Sequence, residues 1–509
     1  MTQKTKNLTG LLLQIPLLFL LAAALFRIAK YFCLSFTNYD HQSTPQFAGV
    51  NNYISILSDG AFWQSLLQTS LLMLALTVSL FLCAVLPALL LSKIKASFGI
   101  CVGAVYGLVS FVSLLPSLWS VIFSDDMYGL LNSFLMRFGL LGAPVPFVTK
   151  HAFAVSFIAL HFTLLAVTFW ITFIAAKRKK PTPGAALSLC SIPLLTFTAT
   201  HLPTQGFLSD YFTEYMYTRA AVGRAYAILV LCAVAYLLFC ALVCLATAGI
   251  SKLVPLVKIN TKTAKTLGHV VFATGCLQLI GTIFLCCYIL ITAFKPYSEL
   301  FVFPPHFFVK NPSLTNFFAF FENFDFGGLV SSLILYSLFL SLLSAVTWLP
   351  SSIGIGMLQT KYKFLLPLSC YALTVLSPQY YIKESLLAIR IDYFLSGLFF
   401  PVLLFVGYYV IRSMRYPSKS RRLRIFIGIS TLVTSVSSAA ALSVLWCPYD
   451  HLRMYQGIAK MGENMAGSTL LLLATIALLF LPVFLLLTLY AIGKFDKKQM
   501  TADLPNSTF

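Results

Sequence analysis

Charge is what this chain has least of, and acidic charge above all. Asp and Glu together number 15 in 509 residues, and all charged types make up 10% of the sequence. Soluble globular domains carry about a quarter charged residues, so composition excludes one here. Long polar stretches are also missing, which leaves no segment between hydrophobic runs with room to fold as an enzyme domain. Asp125 and Asp126 are the only adjacent carboxylates, and neither a Ser-His-Asp arrangement nor a metal-ligand spacing presents itself. The expectation is a chain without chemistry of its own, needing no cofactor and no metal. The 12 cysteines show no pairing between loops. Most of them, Cys83, Cys101, Cys190, Cys232, Cys240, Cys244, Cys276, Cys286, Cys287 and Cys370, fall in apolar runs and read as small core residues.

Apolar residues fill the space that charge leaves: 59% of the chain is hydrophobic, with a mean hydropathy of +0.88. Crossing about 30 Å of hydrocarbon takes roughly 20 apolar helical residues. Twelve stretches approach or exceed that: 8–29, 66–91, 98–123, 152–176, 184–202, 225–250, 267–293, 328–349, 364–381, 392–411, 425–446 and 466–493. Their length and uniform apolarity exclude barrel strands, so the expected fold is an all-α polytopic membrane protein. A net charge of +20 invites a nucleic-acid reading, but the bases sort by side. Lys93, Lys95, Lys177 to Lys180, Lys252, Lys258, Lys361, Lys363, Arg412 to Arg424 and Lys494 to Lys498 occupy alternate loops and tails, where the only acids are Asp496 and Asp503. Sorting of this kind is the positive-inside pattern. It predicts both termini in the cytoplasm, a basic surplus facing anionic lipid, and no nucleic-acid partner.

The twelve runs divide at the basic segment 251–266 into halves 1–250 and 267–509, six helices each. Both halves open with one helix followed by a long, aromatic-rich outer loop, 30–65 and 294–327. Because six is even, the halves share an orientation, giving two parallel six-helix repeats rather than inverted ones.

Three ordered signatures lie in the outer segments. The first runs Leu34-Ser35-Phe36-Thr37-Asn38-Tyr39-Asp40, then Phe47-Ala48-Gly49-Val50-Asn51-Asn52-Tyr53, then Asp59, Phe62 and Trp63. The second is Ser124-Asp125-Asp126-Met127-Tyr128-Gly129-Leu130-Leu131-Asn132. The third holds Lys295, Pro296, Glu299, Phe301, Pro304, Pro305, Pro312 and Asn316. An interfacial aromatic belt requires no fixed order of residues, whereas these have one. Their order resembles the permease subunits of maltose-type carbohydrate ABC importers, the first two signatures matching the first subunit and the third the second. The resemblance covers roughly residues 10–170, more loosely 205–250, then 267–345 and 466–495. It implies a fusion of two permease subunits in a bacterial-type cytoplasmic (inner) membrane. The partners it implies are an extracytoplasmic solute-binding protein, a cytoplasmic ATPase dimer and a polar small-molecule substrate such as a sugar.

The family's coupling loop, E-A-A-x-x-x-G, is where the chain departs from it. The corresponding loops run from Lys177 and Arg178 through Gly184 to Ala186, and from Arg412 through Arg415, Arg421 and Arg422 to Arg424. Neither contains an acid, and Pro181 and Pro183 oppose a helix in the first. Coupling through a degenerate basic contact and loss of the ATPase both remain open, the second leaving a docking or assembly role. For a substrate path, the resemblance points to the fifth and eleventh helices. Thr196, Thr198, Thr200 and His201 enrich one with polar groups, and Thr434, Ser438 and Trp446 form a cluster on the other. Hydroxyls and an aromatic face suit a sugar, and they also suit close helix packing. A secondary transporter of the major facilitator type shares the 6 + 6 count. It lacks support in the short loop SKIKAS and in helix centres without Asp or Glu. His161 is ionisable within a span and has no acid nearby in sequence, so a packed neutral ring is expected. His269 lies close to a cytoplasmic end.

Overall fold

The computed structural model describes residues 3–323, apart from 41, 93–95, 114–118, 120–121, 178–184, 187–188, 191, 193–206, 254–260 and 303–305, together with 350, 354, 461–463, 465–470 and 473. Helices dominate the described residues, and no strand forms among them. In chain order they are α1 (Gln3–Leu12), α2 (Ile15–Leu34), α3 (Asn51–Leu57), α4 (Gly60–Leu91), α5 (Ala96–Ser113), α6 (Leu130–Arg137), α7 (Phe147–Lys150) and α8 (Ala152–Lys177). After these come α9 (Leu208–Thr213), α10 (Val222–Leu253), α11 (Thr261–Ala293), α12 (Tyr297–Leu300) and α13 (Thr315–Asn323). Four of them, α4, α8, α10 and α11, are long and apolar enough to cross a membrane. Residues 3–29 belong to a separate compact unit, and the packing below concerns Lys30–Phe320 with Gly457–Thr469.

Two spans begin earlier than hydropathy alone predicts. Asp59 caps α4 by accepting from Ala61 N at 2.9 Å, which starts the helix six residues before the expected 66. The polar residues 261–266, expected as linker, carry the first turns of α11. The segment 124–151 between apolar runs contains α6 and α7.

At the centre lies α8, 65% of whose apolar stretch is buried, against 11% for the peripheral α10. Small residues on α5 let the two helices close up. A Cβ on Gly99 would stand 2.3 Å from the Phe173 ring, and one on Gly103 would stand 2.6 Å from Trp170, the close approach that small residues four apart permit. Trp170 Nε1 donates to the Gly103 carbonyl at 3.0 Å. Ser110 enters the hydrogen-bond ladder of α8 itself: its hydroxyl donates to Phe162 O at 2.6 Å and accepts from Ala166 N at 3.0 Å, standing between two groups four residues apart.

Helix α4 carries one π-helical turn, Phe81–Val85, just ahead of Pro87. Proline has no N–H to give the carbonyl four residues back, and its ring crowds that carbonyl. The carbonyl is that of Cys83, and Tyr106 Oη of α5 donates to it at 3.2 Å. His161 is buried, with Nδ1 3.0 Å from Ser79 Oγ of α4, a packed ring with a hydroxyl partner. His269 meets Phe98 edge-on at 5.1 Å, and Gly275 brings α11 against Tyr106 and Val105 of α5. All ten cysteines among the described residues are free thiols.

Candidate functional site

The three signatures fold at one end of the helices, where cross-contacts join the non-spanning segments. Gly223 N donates to Tyr39 O at 3.0 Å, Tyr211 Oη donates to Asp59 at 2.6 Å, and Tyr128 Oη donates to Phe301 O at 3.1 Å. The acids between residues 30 and 320 are Asp40, Asp59, Asp125, Asp126, Asp210, Glu214 and Glu299, and all lie in these segments.

In the first signature Asn52 is buried, and its Nδ2 donates to the carbonyls of Ser35 (2.8 Å) and Thr37 (2.7 Å), the frayed end of α2. Helices end with carbonyls that lack partners, and one amide here satisfies two of them. Ser35 Oγ meets Tyr53 Oη at 2.5 Å, and burial raises the Tyr53 hydroxyl above its usual range. Gly49, at φ +61°, supplies the left-handed turn into α3. Asp40 gathers Ser43 N, Ser43 Oγ and Gln42 N, and these donors, the Ser43 amide first, hold its carboxyl below the ordinary value.

The third signature repeats the device. Asn316 Nδ2 donates to Ala293 O (3.0 Å) and Lys295 O (2.7 Å), the corresponding two carbonyls at the end of α11. The aromatic between each carbonyl pair packs on the residue after each Asn: Phe36 on Tyr53 at 5.2 Å, and Phe294 on Phe317 at 5.1 Å. A glycine closes each clip. A Cβ on Gly223, at the start of α10, would fall 2.0 Å from Thr37 O, and one on Gly462 would fall 2.3 Å from Asn316 Oδ1. The rest of the signature ties the longer loop to itself. Glu299 accepts from Lys310 N (3.0 Å) and Asn311 N (2.9 Å), and these amides, Lys310 first, lower its carboxyl. Buried Lys295 donates to His306 O and stands 5.4 Å from the Tyr288 ring centre. Burial lowers its ammonium from the ordinary lysine value, and Glu299 opposes that shift.

The second signature also turns on an asparagine. Asn132 Nδ2 reaches the carbonyls of Ser124, Asp126 and Val145, while its Oδ1 accepts from Val145 N. Asp126 Oδ1 accepts from Tyr128 N and Gly129 N at 2.8 Å each, and Asp125 accepts from Val148 N at 2.6 Å. Both carboxylates of the pair therefore accept backbone amides and hold the turn. Tyr128 meets Phe301 edge-on at 5.8 Å, and Arg137 lies over Phe307 at 5.5 Å, so the second and third signatures touch.

Asp59 also lies within reach of Tyr215 Oη at 3.4 Å, and Arg219 covers the Tyr215 ring at 4.7 Å while pairing with Glu214 at 2.6 Å. The Tyr211 hydroxyl foremost, then the Ala61 amide, lowers the Asp59 carboxyl. Burial first, then Asp59, raises Tyr211. Tyr211, Gly223 and Gly462 are the contributors that sequence reasoning missed. For the two glycines the available signal was a small residue just ahead of the apolar runs 225–250 and 466–493. Among the described residues no group of His, Cys, Asp and Glu is placed to hold a metal ion.

Of the residues singled out for substrate passage, Thr196, Thr200, Thr434, Ser438 and Trp446 lie outside the described residues. So do Arg178, Gly184, Arg415, Arg421 and Arg422 of the coupling loops. Lys177 is the last residue of α8. No protein-family model matches the chain, and neither a curated protein nor a solved structure matches it.

Proposed function

We propose that this chain is the permease of a binding-protein-dependent ABC importer, with both permease halves in one polypeptide of about twelve spans, moving a polar solute such as a sugar. The observation that carries the reading is the duplicated clip. Asn52 and Asn316 hold equivalent carbonyl pairs behind equivalent aromatics, and Gly223 and Gly462 press on them. Two copies of one helix–loop–helix device in the same order are what a parallel repeat of six helices would produce. Membrane crossing has independent support in the four long apolar helices. In this reading both termini are cytoplasmic, a binding protein meets the clipped end from outside, and an ATPase dimer works on the basic loops inside. The chain is a transport component of a bacterial-type inner membrane, and hydrolysis belongs to the ATPase.

A second reading has one observation in its favour: residues 177–186 and 412–424 contain no Glu or Asp, so the acidic coupling motif of the permeases the chain resembles is missing. The protein would then be a permease relative that docks or assembles without transporting. Co-expression with the ATPases of its own organism, followed by purification and an ATPase assay, separates the two. Retention of an ATPase whose hydrolysis rises in the presence of the chain supports the importer; neither retention nor stimulation sinks it.

A further inference from the structure

Helix α3 is inside out for an aqueous loop. It buries Asn52 and Ile56 and exposes Val50, Ile54 and Leu57, with Phe47 beside them at 83% exposure. Helix α13 repeats the pattern residue for residue, burying Asn316 and Phe320 while exposing Leu314, Phe318 and Phe321. In both, the clip turns the polar side chain inward, which leaves an apolar stripe at i, i+4 and i+7 facing away from the protein. Neither stripe carries charged residues: residues 41–58 hold no Lys, Arg, Asp or Glu, and the one charged residue of α13 is Glu322 in its last turn, past Phe321. A water-facing helix or an electrostatically steered protein contact would be expected to carry some.

The stripe on α3 runs directly into the outward face of α4. Trp63 is half exposed, and its Nε1 donates to Leu57 O at 2.7 Å, at the junction of the two helices. Beyond it Leu67, Leu71, Leu74, Val78 and Leu82 continue exposed at helical spacing. That face belongs to a helix of spanning length, so in a bilayer hydrocarbon covers it. Tryptophan is enriched at the depth where hydrocarbon gives way to headgroups, and Trp63 stands at the head of this exposed face.

We propose that α3 and α13 lie in the plane of one membrane leaflet, at the Gly60 end of α4, as a matched pair of interfacial anchors with their stripes against the boundary of headgroups and acyl chains. The inference rests on the chain spanning a membrane and not on what it transports. The anchors fix the depth of the two asparagine clips, since each clip residue sits on the opposite face of the same short helix. A photoreactive benzophenone amino acid, introduced singly at Ile54, at Phe318 and at Gln42 in the full chain, tests it after irradiation in native membranes. All three positions are exposed, so folding is expected to survive, and Phe47 is an alternative site on the same patch. Intact-mass analysis is expected to find phospholipid adducts at Ile54 and Phe318 and none at Gln42. Adducts to another polypeptide at Ile54 and Phe318, absence of lipid adducts there, or equal lipid labelling at Gln42 would overturn the proposal.

Discussion

Replacing Asn52 by Ala removes two donors at once and leaves the carbonyls of Ser35 and Thr37 without them; Asn316→Ala does the same to Ala293 and Lys295. A buried polar group left unpaired costs about 1–3 kcal/mol, so each variant should melt well below the parent in a detergent thermal-unfolding assay. Asp at either position should not rescue, because it places oxygen lone pairs against carbonyl lone pairs. Gly223→Ala and Gly462→Ala should be at least as damaging, since the new methyl would lie 2.0 and 2.3 Å from polar atoms. Gly249→Ala and Gly281→Ala face open space within helices and should be neutral or stabilising by about 0.5–1 kcal/mol in the same assay. Acid sensitivity belongs at this scale as well. Asp59 and Glu299 have carboxyls lowered by hydroxyl and amide donors. Their stabilisation is therefore complete above the ordinary carboxylate pKa and is lost as pH falls through the lowered folded value. Asp59→Asn and Glu299→Gln should each flatten the acid limb of stability against pH, measured as melting temperature from pH 7 downward.

At the scale of elements, the π turn of α4 is a consequence of sequence that a neighbouring helix completes. Pro87 deprives the Cys83 carbonyl of its donor, and Tyr106 of α5 supplies a replacement. Tyr106→Phe should lower stability by about 1 kcal/mol in the parent, the scale of hydrogen bonds between membrane helices. With Pro87→Ala the backbone can satisfy Cys83 itself, so the cost of Tyr106→Phe should shrink. A double-mutant cycle read by thermal unfolding measures that coupling, and strictly additive losses would mean the two features are unrelated. The existence of α4, α8, α10 and α11 could be read from apolar length. The start of α4 could not, because Asp59 sets it through a cap on Ala61, and hydropathy does not register a capping carboxylate. Nor could the bond of Ser110 into α8: serine in an apolar run looks the same whether it bonds its own helix or another.

At the scale of the whole molecule, α11 ties residues beyond the linker to those before it, through Gly275 against Tyr106 and through Phe98 against His269 and Phe272. Residues 1–255 and 256–509 expressed as separate chains should therefore co-purify, and Gly275→Leu should reduce recovery of the partner chain in a pull-down, because the larger side chain holds α11 away from α5. The sequence by itself determined a mostly helical chain with runs long and apolar enough to cross a membrane, the sorting of its charges, and three signatures of fixed residue order. These follow from composition and local spacing, because hydrocarbon imposes its requirement on each span separately. Only the tertiary structure decided what the signatures are for. The partners of Asn52 lie 15 and 17 residues away and those of Asn316 lie 21 and 23 away, while Gly223 and Gly462 arrive from helices far along the chain. A hydrogen bond between distant segments leaves no periodicity in the sequence, so the duplication of the clip became visible only once the loops had closed.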